Sequence, residues 1–132
     1  MSITIGAERN LTIGEPIEIL SDSPNGKFGV FFQDDGRVAW CYAFDLQIAQ
    51  DEVQNGLHIY NTPDMARHTQ TAKIQLVWSQ TGAKAAVLVN QEPYAIFDFH
   101  ERRGSCRSGL GLAELGSEGC QDWDEAAWQG FK

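Results

Sequence analysis

Basic residues are scarce in this chain. Lysine and arginine total 10 against 18 aspartates and glutamates, a formal net charge of −8 over 132 residues. Such a balance repels phosphate backbones, so nucleic acid is not an expected partner. It favours solubility and would steer a basic protein toward the surface. Long apolar runs are also missing. Nothing approaches the roughly 20 residues that a spanning helix needs, and no membrane partner is expected. Residues Met1 to Glu8 hold neither a basic start nor an apolar stretch of leader type, so the expected address is cytoplasmic. The 3 cysteines, Cys41, Cys106 and Cys120, are odd in number and unclustered, which argues against a disulfide framework and fits a reducing compartment. Spacing alone leaves open one bridge between Cys106 and Cys120. Cys41 reads as a small core residue.

Motifs of catalysis are missing too. Gly109-Leu110-Gly111 is too short for a phosphate loop and follows no parallel-strand unit. No serine elbow, CxxC or HExxH occurs, and His58, His68 and His100 are scattered. Neither a metal nor a cofactor is expected.

What the chain does contain is an internal echo. Ser23-Pro24-Asn25-Gly26-Lys27 and the apolar run after it return as Ser79-Gln80-Thr81-Gly82-Ala83-Lys84 and a second apolar run. Each copy follows one apolar run and is followed by another, which ends at Phe44-Asp45 or Phe97-Asp98. That is strand, turn, strand, turn, strand, made twice. The predicted class is β-rich α+β. Two duplicated three-stranded antiparallel meanders form a sandwich or a curved sheet, with one or two short helices. One domain covers residues 1–132, with repeat halves at about 11–45 and 73–100 and a tail at about 108–132.

Within this plan, Leu11, Ile13, Ile17 and Ile19 read as one strand interrupted by Pro16, at an edge or with a bend. Phe28, Val30 and Phe32 share a face. Val38, Trp40, Tyr42 and Phe44 make a bulky face opposite a small one of Ala39, Cys41 and Ala43, which a helix or second sheet should approach closely. Trp40 and Trp78 are expected to be largely buried. Asp45 is expected to cap a short helix holding Leu46, Ala49 and Val53 and closed by Gly56. Leu57 to Tyr60 reads as a short strand broken at Asn61-Thr62-Pro63-Asp64. Ala85 to Val89 is apolar on both faces and belongs at the centre of its sheet. Asp122-Trp123-Asp124-Glu125 has the form of a capping box, ahead of a helix that presses Trp123, Ala127 and Trp128 onto the sheet.

The wording of the second half, Ile74 to Ser79, Gly82 to Asn90, Pro93 to Phe99 and Arg103 to Arg107, resembles a family of small bacterial proteins, the domain of unknown function DUF2251. Ser23 to Val30, Asp34 to Gly36 and Leu57 to Asn61 match it as well. The resemblance runs from Leu11 to Arg107 and implies a bacterial origin and a single-domain fold. It carries no activity, cofactor or assigned site. The tail departs from the family pattern, which is richer in proline after the Cys106-Arg107 pair.

Two groups of side chains are candidate sites. Asp98 ends the last strand of the second repeat and needs a partner if it faces a core. Arg103 and Arg107 are the nearest cations, giving either an ion pair that pins the strand or an anion pocket, with Gly104 supplying the turn. His58, Tyr60 and Asn61 form the other group, with His58 and Tyr60 on one strand face. They serve either as a hydrogen-bonded core edge or as a recognition rim. Asp34-Asp35-Gly36 reads as turn chemistry. The leading expectation is a non-catalytic module that binds a basic protein, in the manner of an antidote. The alternative is a small-ligand or anion-binding protein, or a hydrolase, with a cleft between the repeats. An exposed apolar patch rimmed by carboxylates would favour the first, and a pocket uniting Asp98, His58, Arg103 and Arg107 the second.

Overall fold

The computed structural model describes residues 3–47, 52–108, 120–123 and 125–131. Among the described residues, ten strands and two short helices follow one another: β1 (Thr4–Thr12), β2 (Ile17–Asp22), β3 (Phe28–Asp34), β4 (Val38–Asp45), β5 (Glu52–Asn61), α1 (Thr62–Ala66), β6 (Thr71–Trp78), β7 (Lys84–Val89), β8 (Glu92–Asp98), β9 (Arg103–Cys106), β10 (Cys120–Asp122) and α2 (Glu125–Phe131). They form a four-stranded sheet of order β2-β3-β4-β5 and a six-stranded sheet of order β1-β6-β7-β8-β9-β10. Every pairing is antiparallel except β9 with β10. The two sheets share one core, in which Ile19, Val30, Phe32 and Cys41 meet Leu76, Trp78, Val87 and Phe97.

The echoed turns take the same geometry. Gly26 and Gly82 have φ of 74° and 76°, and each donates its N–H to the carbonyl of Ser23 or Ser79 at 2.9 Å. Only glycine accepts that backbone cheaply. The two turns also touch, because the Asn25 amide donates to the Thr81 carbonyl at 3.1 Å. Above this junction the Phe28 and Phe99 rings stack at 4.4 Å, and the buried Trp78 indole donates to Ser21 Oγ at 3.0 Å. Each sheet is thereby tied to the other at one end of the core.

Several expectations change. The segment from Leu11 to Ile19 is two strands in different sheets, since Gly14 at φ 104° turns the chain before Pro16. The helix expected after Asp45 is replaced over residues 52–56 by β5, and Gly56 lies mid-strand opposite Tyr42. Asp45 instead accepts the Gln47 N–H at 2.9 Å, closing a local turn, while Ile48 and Ala49 lie outside the described residues. β5 also lengthens the strand expected at Leu57 to Tyr60, and α1 follows where only a break was expected, with Pro63 in its first turn. Each three-stranded unit is therefore embedded in a larger sheet.

β4 presents its small face to the core. Ala39, Cys41 and Ala43 are each 0 % exposed, whereas Val38, Trp40, Tyr42 and Phe44 remain half-buried on the outside. Trp78 is fully buried as expected, but Trp40 is not. β7 is central between β6 and β8. At the far end, Trp128 and Phe131 of α2 pack on Val77, Ala86 and Ile96, covering the outer face of the six-stranded sheet. The capping-box side chains of Asp122 and Asp124 lie outside the described residues, as does the Cys120 half of the considered bridge.

Two stability tests follow from these packings. Gly26→Val should cost about 1–3 kcal/mol from backbone strain alone. Gly82→Val should cost more, because its added carbon would also sit 3.0 Å from the Asn25 amide. Urea denaturation should rank the two in that order. Trp78→Ala should lose about 3–5 kcal/mol and Trp40→Ala clearly less, since only the first leaves a cavity in the core.

Candidate functional site

Alternation along the strands sorts the side chains of the four-stranded sheet onto two faces. Register then lines up the outward residues in rows. Leu20, Phe31, Tyr42 and Gly56 stand side by side across β2 to β5, flanked by the row Glu18, Gln33, Trp40 and His58 and by the row Asp22, Gly29, Phe44 and Val53. The aromatic rings are in contact. Phe31 and Tyr42 stack at 6.4 Å, Trp40 and Tyr42 at 6.4 Å, and the Trp40 ring meets His58 edge-on at 5.6 Å. Leu20 is 64 % exposed and stands beside Phe31, so it extends a continuous apolar row rather than being a lone exposed leucine. The β2 edge of this face carries Glu18 and Asp22, and Glu18 accepts from the Gln33 amide at 3.2 Å. None of the outward positions in these rows is a lysine or arginine. Among the described residues no helix covers this face, in contrast to the six-stranded sheet beneath α2.

Bulges set which residues of β5 join this face. Ala39 pairs with Tyr60 but Trp40 pairs with His58, so Ile59 is an extra residue in the ladder. His58 therefore points outward beside Trp40, and Tyr60 points into the core beside Phe32, at 6.3 Å between rings. The expectation that His58 and Tyr60 share a face is corrected by that one inserted residue. Asn61 stays with His58 and contacts its Nε2 through Oδ1 at 2.9 Å. The buried Nδ1 has no hydrogen-bond partner among the described residues.

Tyr60 reveals a residue that turn chemistry concealed. Asp34 is 1 % exposed, and its carboxylate accepts from Tyr60 Oη at 2.8 Å, Thr62 Oγ1 at 3.0 Å and the Gly36 N–H at 2.8 Å. It pins the β3–β4 turn to the start of α1. The turn itself is the work of Asp35, which accepts the N–H groups of Arg37 and Val38. Burial, and then the hydrogen bond and charge of Asp34, push the Tyr60 phenol well above its ordinary range. Burial, and then the charge of Asp35, also raise Tyr42.

The basic candidates separate. Asp98 forms its ion pair with Lys84 at 4.0 Å and accepts the Glu101 N–H at 3.1 Å, in place of the expected arginine contact. Arg103 stands opposite Asp98 in the β8–β9 register and is exposed. Gly104 lies within β9, so it supplies no turn. Its missing side chain admits Leu57 of β5, which a Cβ would meet at 2.8 Å. Arg107 donates through Nε to the Pro93 carbonyl, and its guanidinium lies over the Tyr94 ring at 5.3 Å and the Trp123 ring at 5.1 Å. It is a clasp for the tail. Asp98 and Arg103 line one small cleft beside α2, while His58 and Arg107 are held elsewhere. No group of three or more His, Cys, Asp or Glu among the described residues is placed to hold a metal ion. No helix among them is long and apolar enough to cross a membrane.

The chain belongs to the bacterial family described as "Uncharacterized protein conserved in bacteria (DUF2251)", whose profile matches residues 11–132. The match runs on through the tail, beyond the stretch from Leu11 to Arg107 that carries the resemblance. A protein of Haemophilus influenzae, described as "Uncharacterized protein", is 32% identical over 93 residues, which is 70% of this chain. The chain covers 58% of that relative's length. No solved structure matches.

Tyr60→Phe should cost about 1.5–3 kcal/mol at neutral pH, because it leaves Asp34 short of one donor. The sign of the pH effect follows from the raised phenol. Its contribution to stability is complete below the ordinary tyrosine value of about 10 and is lost as pH rises toward the folded value. Chemical denaturation between neutral pH and about pH 11 should therefore show a shallower alkaline loss in Tyr60→Phe than in the wild type.

Proposed function

We propose that this protein is a non-catalytic recognition module. In this reading the outer face of the four-stranded sheet docks a basic protein. The observation that carries it is the row Leu20, Phe31 and Tyr42, joined by Trp40, laid open beside Glu18 and Asp22 with no lysine or arginine among them. Aromatic side chains in mutual contact lose little freedom on binding and anchor protein interfaces. The carboxylates at the edge favour a partner that brings arginine or lysine, and cations stack well on indole and phenol rings. The net charge of −8 adds long-range steering toward the same kind of partner.

In this reading the two sheets are the halves of a duplicated sandwich. The equivalent turns at Gly26 and Gly82 support that view. One copy had its outer face covered by α2, and the other kept its own open for a partner. An antidote-like role toward a basic toxin is one form this binding could take.

A photo-crosslinking residue placed at Leu20 or Gln33 in the bacterial cell should trap a basic protein, and at Thr81 it should not. Phe31→Ala and Tyr42→Ala should each weaken the recovered complex by about tenfold or more. Raising the salt should weaken it further. The proposal fails if crosslinks from this face are no more frequent than those from Thr81, or if both alanine variants bind as the wild type does.

A further inference from the structure

Between α2 and the β8–β9 hairpin lies a cleft of about 180 Å³, lined by Ile96 and Asp98 of β8, Glu101 of the connecting turn, Arg103 and Ser105 of β9, and Ala127 of α2. Register explains the convergence. Asp98 pairs with Arg103 and Ile96 with Ser105, so these four residues project in two rows from one face of the sheet. Ile96 and Ala127 belong to the apolar cluster beneath α2, which makes one wall of the cleft hydrophobic. Ser105 adds a buried polar residue, 6 % exposed, beside Ile96.

The charges at the cleft are mixed and incompletely matched. Arg103 makes no ion pair among the described residues. Asp98 has one ion pair, with Lys84 at 4.0 Å, besides the N–H of Glu101, and Glu101 itself has no ion pair among the described residues. The volume lies below the roughly 300–1,000 Å³ of sites for drug-sized ligands, which suits a molecule smaller than a nucleotide. A small anion alone would face two carboxylates, and a small cation alone would face Arg103. A molecule that carries both charges on neighbouring atoms, with a short alkyl group, answers every wall at once.

We infer that this cleft binds a free α-amino acid with a small aliphatic side chain. Its carboxylate meets Arg103, its ammonium group meets Glu101 and Asp98, and its side chain lies on Ile96 and Ala127. The site is on the opposite sheet from the aromatic face and does not depend on the docking of a protein there.

Titration of the ¹⁵N-labelled protein with L-alanine, L-valine and L-leucine tests this. Saturable shifts are expected at the amides of Ile96, Ser105 and Ala127, with a Kd in the millimolar range or below. N-acetylvaline lacks the ammonium group and valine amide lacks the carboxylate, and each should bind about tenfold more weakly or worse than valine. R103Q should lose valine binding by about the same factor at an unchanged melting temperature, because Arg103 is exposed. Ala127→Phe should fill the cleft and abolish the shifts. Equal binding of valine and N-acetylvaline, or wild-type binding by R103Q, would overturn the zwitterion assignment. No saturable shift with any of the three amino acids would overturn the site itself.

Discussion

The inward face of β4 governs much of this structure. Ala39, Cys41 and Ala43 are all fully buried, and none is larger than a thiol. A strand with that face inward lets the opposite sheet come close and leaves room between the sheets for Phe32, Trp78 and Phe97, which fill the core. The same choice sends Trp40, Tyr42 and Phe44 outward. Core packing and the exposed aromatic surface are thus two sides of one strand. Enlarging the small face would push the sheets apart and disturb both. Cys41 shows how dry this layer is, since burial raises its thiol far above the range in which a cysteine reacts.

A second constraint acts at the edge of that core. Asp34 is a buried carboxylate satisfied by one backbone and two side-chain donors, and it joins a β-turn, a strand end and a helix start. A charge in that position is tolerated only with such donors. They arrive only if β5 is in register, so Asp34 also specifies the pairing of β5 with β4 and hence the outward placement of His58.

Local chemistry explains what could be read from the chain. Ser23 to Gly26 and Ser79 to Gly82 announced their turns because glycine at positive φ is a property of a few adjacent residues. The alternation of Phe28, Val30 and Phe32 and the two-sided apolarity of Ala85 to Val89 gave strands in the right places. Contacts between distant residues escaped. Residues of β4 marked its small face as the side that a second layer approaches, but not that Trp40 on the other side stays half-buried, because that depends on the rest of the fold. Asp34 was hidden because Asp-Asp-Gly satisfies turn chemistry without further partners, and its true partners lie 26 and 28 residues away. The pairing of β10 with β9 is parallel and bridges a long connection, so no hairpin signal marks it. Gly56 read as a helix stop, whereas its role is to stand opposite Tyr42 in a strand. Of the candidate site residues, Asp98 and Arg103 are cross-strand neighbours at one location and His58 and Asn61 meet at another, but Asp98 pairs with Lys84 and not with the expected arginine.

The extra residue at Ile59 has a consequence for how this chain tolerates descent with modification. Strict alternation has a period of two, so one inserted residue exchanges the faces of everything beyond it. In β5 the exchange is what lets His58 look outward while Tyr60, two positions later, looks inward. Loss of Ile59 itself would restore strict alternation and leave His58 opposite Trp40 and Tyr60 opposite Ala39, so the phenol would still reach its carboxylate. Loss of His58 together with Ile59 would make Leu57 and Tyr60 neighbours on opposite faces, and one of them would leave the core. Lineages that vary the length of β5 can therefore dispense with the bulge residue more readily than with either of its neighbours.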